Sequence, residues 1–293
     1  MDRLSAVIRT RALDLLSDGN GADADLEDGS IFFVGNATVI VRYAGFTILT
    51  DPSFLHEGDH AHVGYGLRTE RQTDPAIDID ELPPIDFVLL SHMHGDHFGR
   101  VAEEGLDTDL PIVTTPHAAA ELSEKGFRET YPLETWETLT VRKGDVRLDV
   151  TSTPARHGSR LVSKAMPPVM GSMLEFHVGE TTALRLYVTG DTVMYDSLAE
   201  IAERYPDIDI ALLHLGGAKV LGLQVTMDER QGTEAIELFD PTTAIPIHYD
   251  DYGVLRSSLE ELQEAIREAG LDDRVEYVDR GDTARFEVPS GRL

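Results

Sequence analysis

Short apolar runs broken by Gly, Pro and Asp dominate this chain, with stretches of helical spacing set among them. Runs of this length rich in Val, Ile, Thr and Phe read as strands, several of them continuous enough to be buried on both faces. Early strands are expected at Ile31–Val34, Thr38–Tyr43 and Phe46–Thr50, with Ala44-Gly45 as the hairpin turn between the last two. A long irregular segment, Pro52 to Pro84, then leads to the apolar strand Asp86–Leu90. Loops of that length are uncommon and are often functional lids. Further strands are expected at Ile112–Thr114, Glu137–Val141, Val146–Thr153, Met173–Val178 and Leu184–Thr189, then at Ile210–Leu213, Ala244–Ile247, Val275–Val278 and Ala284–Val288.

Helical spacing is expected at His97–Glu104, Ala118–Lys125, Ser197–Arg204, Glu229–Phe239 and Ser257–Glu268. Residues 3–16 carry Leu4, Val7, Ile8, Leu15 and Leu16 at roughly helical intervals and predict a peripheral amphipathic helix. The Asp-, Gly- and Asn-rich stretch Ser17 to Ser30 reads as a solvated linker, so residues 1–30 are expected to precede a main domain over 31–293. Meandering strands in each half, with helices between them, predict an α/β (α+β) protein of two packed sheets with helices outside.

Composition narrows the chemistry. The 293 residues, 41% of them hydrophobic, suffice for a large core, and the absence of cysteine excludes thiolate metal sites, a cysteine nucleophile and disulfides. The formal charge is −28, from 53 acidic and 25 basic side chains, and only four of the latter are lysine (Lys125, Lys143, Lys164, Lys219). Such a surface stays soluble despite self-repulsion, and the lysine depletion suggests adaptation to high salt, where cations screen that repulsion. Nucleic acid is not expected as a partner, because phosphate tracking needs clustered Lys and Arg. No apolar run approaches the roughly 20 residues that cross a bilayer, so membrane insertion is not expected. The N-terminus lacks the apolar core and cleavage site of a secretion signal, which makes the cytoplasm the expected location. A homo-oligomer is compatible with all of this.

The densest chemistry is His92-Met93-His94-Gly95-Asp96-His97, one residue beyond the run Phe87-Val88-Leu89-Leu90. Neutral imidazole and carboxylate suit zinc and its divalent neighbours. An extended segment places His92 and His94 on one side of the chain, and a turn through Gly95 aims Asp96 and His97 at a second position. One compact cluster can therefore serve two metals. Three more polar positions end apolar or β-rich runs: His157 after Pro154-Ala155-Arg156, Asp191 after Thr189-Gly190, and His248 after Pro246-Ile247. Strand ends of that kind converge on one face in α/β enzymes.

These segments, in this order, resemble a metallo-β-lactamase-fold hydrolase, an αββα four-layer sandwich. The nearest branch in motif order holds the ascorbate-phosphate lactonases and the N-acylphosphatidylethanolamine-type phospholipases D. Matching segments run from Phe33-Val34-Gly35 to His248 and include Thr50-Asp51-Pro52, Leu82-Pro83-Pro84-Ile85-Asp86 and Gly190-Asp191-Thr192. The resemblance implies that His92, His94 and His157 hold one metal, that Asp96, His97 and His248 hold the other, and that Asp191 bridges them. In such sites the metals lie about 3.5–4 Å apart and generate a hydroxide nucleophile, and Asp96 would orient it or accept its proton. Zinc fits the nitrogen and oxygen ligands best, with manganese and iron as alternatives. Asp51 either closes a turn before Pro52 or fixes the tautomer of a ligand histidine from behind. Asp191 has a simpler rival role, capping the helix near Ser197.

Other histidines carry less. His56, His60 and His62 lie in the long loop, where a solvated, mobile loop is the simplest reading and a substrate contact or third metal the alternative. His117 and His177 are assigned no function, and Gly216-Gly217 is either a close backbone approach to ligand or a tight turn. The chain also departs from the branch: many relatives have histidine where Asn36 stands, and the tryptophan common before the strand near Ser172 is missing. The implied reaction is hydrolysis of an ester, lactone or phosphodiester in a small-molecule substrate. An RNA-processing nuclease and a non-catalytic metal-binding protein of the same fold are the alternatives.

Overall fold

The computed structural model describes residues 11–15, 25–64, 66–220, 222–288 and 292. In chain order the strands begin with β1 (Arg11–Leu15), β2 (Asp28–Gly35), β3 (Thr38–Tyr43), β4 (Phe46–Thr50), β5 (His60–His62) and β6 (Arg68–Glu70). They continue with β7 (Phe87–Leu89), β8 (Ile112–Thr114), β9 (Thr130–Pro132), β10 (Thr138–Lys143), β11 (Val146–Pro154) and β12 (Met170–Val178). The last are β13 (Thr181–Val188), β14 (Ile210–His214), β15 (Lys219–Val220), β16 (Leu223–Gln224), β17 (Thr243–Ile247) and β18 (Thr283–Glu287). The helices are α1 (Arg100–Gly105), α2 (Pro116–Glu124), α3 (Ala199–Arg204), α4 (Glu229–Phe239) and α5 (Leu259–Ala269).

Two seven-stranded sheets form the body. The N-terminal sheet runs β18-β2-β3-β4-β7-β8-β9 and the C-terminal sheet β1-β10-β11-β12-β13-β14-β17. In the first, β18 through β4 pair antiparallel and β4 through β9 parallel; in the second, β10 through β13 are antiparallel and β13, β14 and β17 parallel.

Both faces of each sheet are covered, which explains the continuous apolar runs. Alternate residues of one strand enter different cores. Phe87 and Leu89 face the space between the sheets with Ile31, Phe33, Ile48, Leu148, Leu186 and Leu212, whereas Val88 and Leu90 face out onto Ala102, Ala118 and Leu122 of α1 and α2. On β14, Ile210 and Leu212 point inward, while Ala211 and Leu213 meet Ile236 and Phe239 of α4 and Leu262 and Ile266 of α5. The layers are therefore helix, sheet, sheet, helix, as the sequence pattern led us to expect. Local signals agree. Thr115 caps α2 ahead of Pro116, Asp228 caps α4, and Ser258 with Glu261 forms a capping box on α5. Ala44 and Gly45 both take positive φ, the two-residue hairpin geometry that matches strand twist.

Three expectations need correction. Arg11–Leu15 is a strand parallel to β10, not part of a helix, because Leu13 and Leu15 alternate onto the inter-sheet core; the rest of that expected helix lies outside the described residues. The Pro52–Pro84 segment is not irregular throughout: it holds the β5–β6 hairpin and a 3-10 turn at Ile79–Glu81. Val275–Val278 forms no strand, only a single bridge from Val275 to Ala244. Among the described residues, no helix is long and apolar enough to cross a membrane.

Candidate metal centre

Parallel pairing of β4 with β7 brings Asp51 and Ser91, just beyond their ends, side by side. Asp51 accepts the Ser91 backbone N–H at 2.7 Å and the Ser91 hydroxyl at 2.9 Å. The chain then turns through His92–His97, and all three histidines and Asp96 are buried. Gly95 is required in that turn. A Cβ there would lie 2.7 Å from the His62 backbone nitrogen, and the Gly95 N–H donates to the His62 carbonyl at 2.8 Å. The β5–β6 hairpin is thus seated on the histidine loop.

The C-terminal sheet adds the rest from separate strand ends. His157 follows β11, Asp191 follows β13 and His248 follows β17, and all are buried. Gly190 takes φ +60°, and a Cβ on it would meet the Met170 carbonyl at 2.5 Å, so only glycine lets Asp191 enter there. Pro246 is tolerated in β17 because that strand lies at the sheet edge.

Every residue expected from the sequence as a ligand is brought to this one place. His92, His94 and His157 present ring nitrogens within 4.8 Å of one another, and Asp96, His97 and His248 form a second such group. Asp191 lies between them, 3.7 Å from His157 Nε2 and 4.0 Å from His92 Nε2 on one side, 3.3 Å from His97 Nε2 and 3.7 Å from His248 Nε2 on the other. Buried polar atoms are normally paired. Here His94 Nε2, Asp96 Oδ1, His97 Nε2, both His157 nitrogens, Asp191 Oδ1 and His248 Nε2 have no hydrogen-bond partner among the described residues. Atoms of this type, converging and unpartnered, fit divalent cations.

The electrostatics follow from burial and proximity. Burial works to raise the Asp191 carboxyl, but His248 and His97 outweigh it and hold the group well below the ordinary carboxylate range. Asp96 is lowered against burial in the same way, by His97 and His248. Conversely, Asp191 and Asp96 overcome the burial that would lower His97, and Asp191 chiefly does so for His248; both imidazoles are raised. Burial and neighbouring imidazoles, His97 beside His92 and His157 beside His94, push His92 well down and His94 down to about 3. Proton affinity is therefore raised at His97 and His248, beside the two carboxylates, and lowered at His92 and His94.

Asp51 sits behind the cluster. Its Oδ2 lies 3.1 Å from His97 Nδ1 and 3.3 Å from His214 Nε2, and against burial these neighbours lower it to about 2. His214 went unremarked in the sequence, although it ends β14 just as the other ligand candidates end their strands. It stacks nearly parallel to His97 at 5.9 Å, and its backbone N–H donates to the Thr189 hydroxyl oxygen at 2.9 Å. Ser91 was missed too: its hydroxyl is 2.9 Å from His92 Nδ1, which links Asp51 to a histidine of each group. The remaining histidines lie elsewhere. His60 and His62 are exposed on the hairpin, beside a cavity of about 300 Å³ also lined by His94 and Phe98. His56 lies between Asp74 and Asp78, His117 beside Glu121 and His177 beside Asp149.

Comparison with known proteins identifies the family and the fold. Residues 47–249 match the family described as the beta-lactamase superfamily domain. A metal-dependent hydrolase of Carboxydothermus hydrogenoformans is 30% identical over 84% of this chain and 95% of its own. One from Methanopyrus kandleri is 28% identical over 86% and 98%. Among solved structures, the isothiocyanate hydrolase from Delia radicum gut bacteria superposes with a TM-score of 0.75 at 22% identity, covering 88% of this chain and 100% of that one. Igni18, a metallo hydrolase from Ignicoccus hospitalis, gives 0.64 at 23% identity over 89% and 99%. The chain belongs to the beta-lactamase superfamily and is a metal-dependent hydrolase of the metallo-β-lactamase fold.

Proposed function

We propose that this protein is a dinuclear hydrolase acting on an ester, lactone or phosphodiester of a small-molecule substrate. His92, His94 and His157 would hold one cation and Asp96, His97 and His248 the other, with Asp191 placed between the two groups. The observation that carries this reading is the set of buried, unpartnered ligand atoms around Asp191. When bound, two divalent cations, zinc first among those the nitrogen and oxygen donors favour, supply Lewis acidity and an activated water. The chain's own residues do the rest. His94 Nε2, His97 Nε2, His248 Nε2 and both His157 nitrogens have no hydrogen-bond partner among the described residues and so keep lone pairs free to ligate. Asp51 accepts from His97 Nδ1 and thereby points Nε2 into the centre. Asp96, whose carboxyl His97 and His248 hold below the ordinary range, would be the group to take a proton from water there. The acid-rich surface, poor in lysine, supports a small substrate over RNA and supports function at high salt.

The test is metal analysis of protein purified without chelators, then removal and return of metal during assays on phosphodiesters, lactones, esters and a structured RNA. Metal-restored hydrolysis of a small substrate is expected. Metal that raises the melting temperature but restores no hydrolysis would favour a non-catalytic metal-binding protein, and selective cleavage of the RNA would favour a nuclease.

A further inference from the structure

A second polar cluster lies beneath the centre, where none was expected from the sequence. Asp251, three residues beyond His248, is completely buried. Its carboxylate accepts from Arg71 at 2.9 Å, from Arg280 at 3.1 Å and from the Thr73 hydroxyl. Arg71 is itself buried. It donates through Nε to the Thr73 carbonyl at 2.9 Å and lies over the Tyr252 ring, 5.1 Å from its centroid. Three distant segments therefore meet on one carboxylate: the chain leaving the β5–β6 hairpin, the turn after β17 and the approach to β18. A buried ion pair is poor evidence of stabilisation, since desolvation consumes much of the attraction. Its geometry is more informative than its energy.

The fourth donor to Asp251 is the backbone N–H of Asn36, at 2.6 Å. Asn36 occupies the left-handed region at φ +53°, following Gly35 at φ +137°. A Cβ on Gly35 would lie 2.8 Å from an Arg71 guanidinium nitrogen and 3.1 Å from Arg280 Nε, so glycine admits the two guanidinium groups to this turn. Fixed in this way, Asn36 uses its other polar groups on the centre. Its carbonyl accepts the His248 N–H at 2.9 Å, and its Nδ2 donates to the Asp96 carbonyl at 2.8 Å. His248 also needs positioning, because it too takes a left-handed φ of +62°. Among the described residues no hydrogen bond or ion pair joins Asp96 or His248 to Arg71, Asp251 or Arg280; both are reached through Asn36.

We propose that the Arg71–Asp251–Arg280 cluster and Asn36 together are the positioning device for the Asp96–His97–His248 half of the centre. This rests on the dinuclear reading above. Asp251 orients the Asn36 peptide, and Asn36 sets where the Asp96 and His248 backbones stand. The device acts on one half only, because no bond from Asn36 or Asp251 reaches His92, His94 or His157. The Arg71 arm also ties that half to the end of the hairpin that seats on Gly95.

The test is a zinc titration of the metal-stripped, full-length protein in competition with a chromogenic chelator, with melting of the metal-free protein measured alongside. Asn36→Gly keeps the backbone bonds to Asp251 and His248, relieves the left-handed strain and removes only the bond to Asp96. Asp251→Asn removes the charge and keeps the shape. Wild type is expected to take up two equivalents. In both variants the second equivalent should bind roughly 10–100-fold more weakly, the usual cost of losing a supporting partner, with the first nearly unchanged. Without metal, Asn36→Gly should melt only slightly lower than wild type, because relief of the left-handed strain offsets much of the lost hydrogen bond. Equal weakening of both equivalents in step with lost stability, or no weakening of either, would leave the cluster a frame for the fold and overturn the proposal. Wild type binding fewer than two equivalents would instead overturn the dinuclear reading and take this inference with it.

Discussion

The two sheets share one plan and supply the centre in different ways. In each, a run of antiparallel strands hands over to parallel ones, and the strand at that handover leads to an aspartate: Asp51 after β4 and Asp191 after β13. The strand beside it leads to histidine, His92 beyond β7 and His214 at the end of β14. Yet Asp191 stands among four imidazoles, whereas Asp51 lies behind them, bonded to Ser91 and facing His97 and His214. The N-terminal sheet offers four ligand candidates from one loop, and the C-terminal sheet offers one from each of three strand ends. A contiguous loop sets its own geometry through a tight turn. Three separate ends depend on the register of β11, β13 and β17 within the sheet. The first is local chemistry, the second tertiary structure.

The largest effect expected on this contrast comes from Asp191→Ala. Loss of a supporting partner alone costs about 10–100-fold in metal affinity, so removing the carboxylate in contact with both groups should cost more than that in turnover. Elemental analysis should show reduced metal, and normal content with normal turnover would remove Asp191 from its central role. Asp51→Asn comes next. It preserves shape and removes the charge behind His97 and His214, so metal affinity should fall by about 10–100-fold while secondary structure persists. An affinity equal to wild type would reduce Asp51 to a turn residue before Pro52.

Gly95→Ala probes the local half. The new methyl meets the His62 backbone, which cannot yield as a flexible side chain would, and overpacking of this kind costs about 1–3 kcal/mol. Thermal unfolding should show the loss, and unchanged stability would mean the hairpin is not seated on the loop. The smallest effect concerns the seam between the sheets. Tyr43, on β3, meets Phe176 of β12 edge-on at 5.1 Å and donates to the Leu26 carbonyl. Burial, with Asp209 and Asp25 nearby, pushes its phenol up from 10.0 to about 12. A raised folded pKa stabilises fully below the unfolded value, so this contribution should be present below pH 10 and disappear as pH rises through about 12. Tyr43→Phe should lose about 1 kcal/mol at neutral pH with the hydrogen bond, together with that part of the alkaline dependence, both measurable by denaturant unfolding across pH.

The same contrast explains what was legible in the sequence. The His92–His97 loop announces itself because its ligand types are adjacent, and His157, Asp191 and His248 are visible because each follows an apolar run. His214 follows such a run too, but a lone histidine among leucines carries no local sign that Asp51, 163 positions away, faces it. Strands at Phe46–Thr50 and Ile112–Thr114 are plain from β-branched and apolar residues. The β5–β6 hairpin is not, because His60-Ala61-His62 and Arg68-Thr69-Glu70 each offer one buried residue between two exposed ones. At Arg11–Leu15, the alternation of Leu13 and Leu15 is masked by neighbouring apolar residues that mimic a helical stripe. The Arg71–Asp251–Arg280 cluster has no sequence signature at all, since its members are charged residues in an unusually acidic chain.

One wall of the cavity beside His94 is built by the β5–β6 hairpin, and another by Arg100 and Glu103 of α1 and Glu121 of α2. The hairpin's exposed positions, His60 and His62 among them, are held by backbone bonds that do not depend on their side chains. Side chains at these positions can therefore change without unseating the hairpin from the histidine loop.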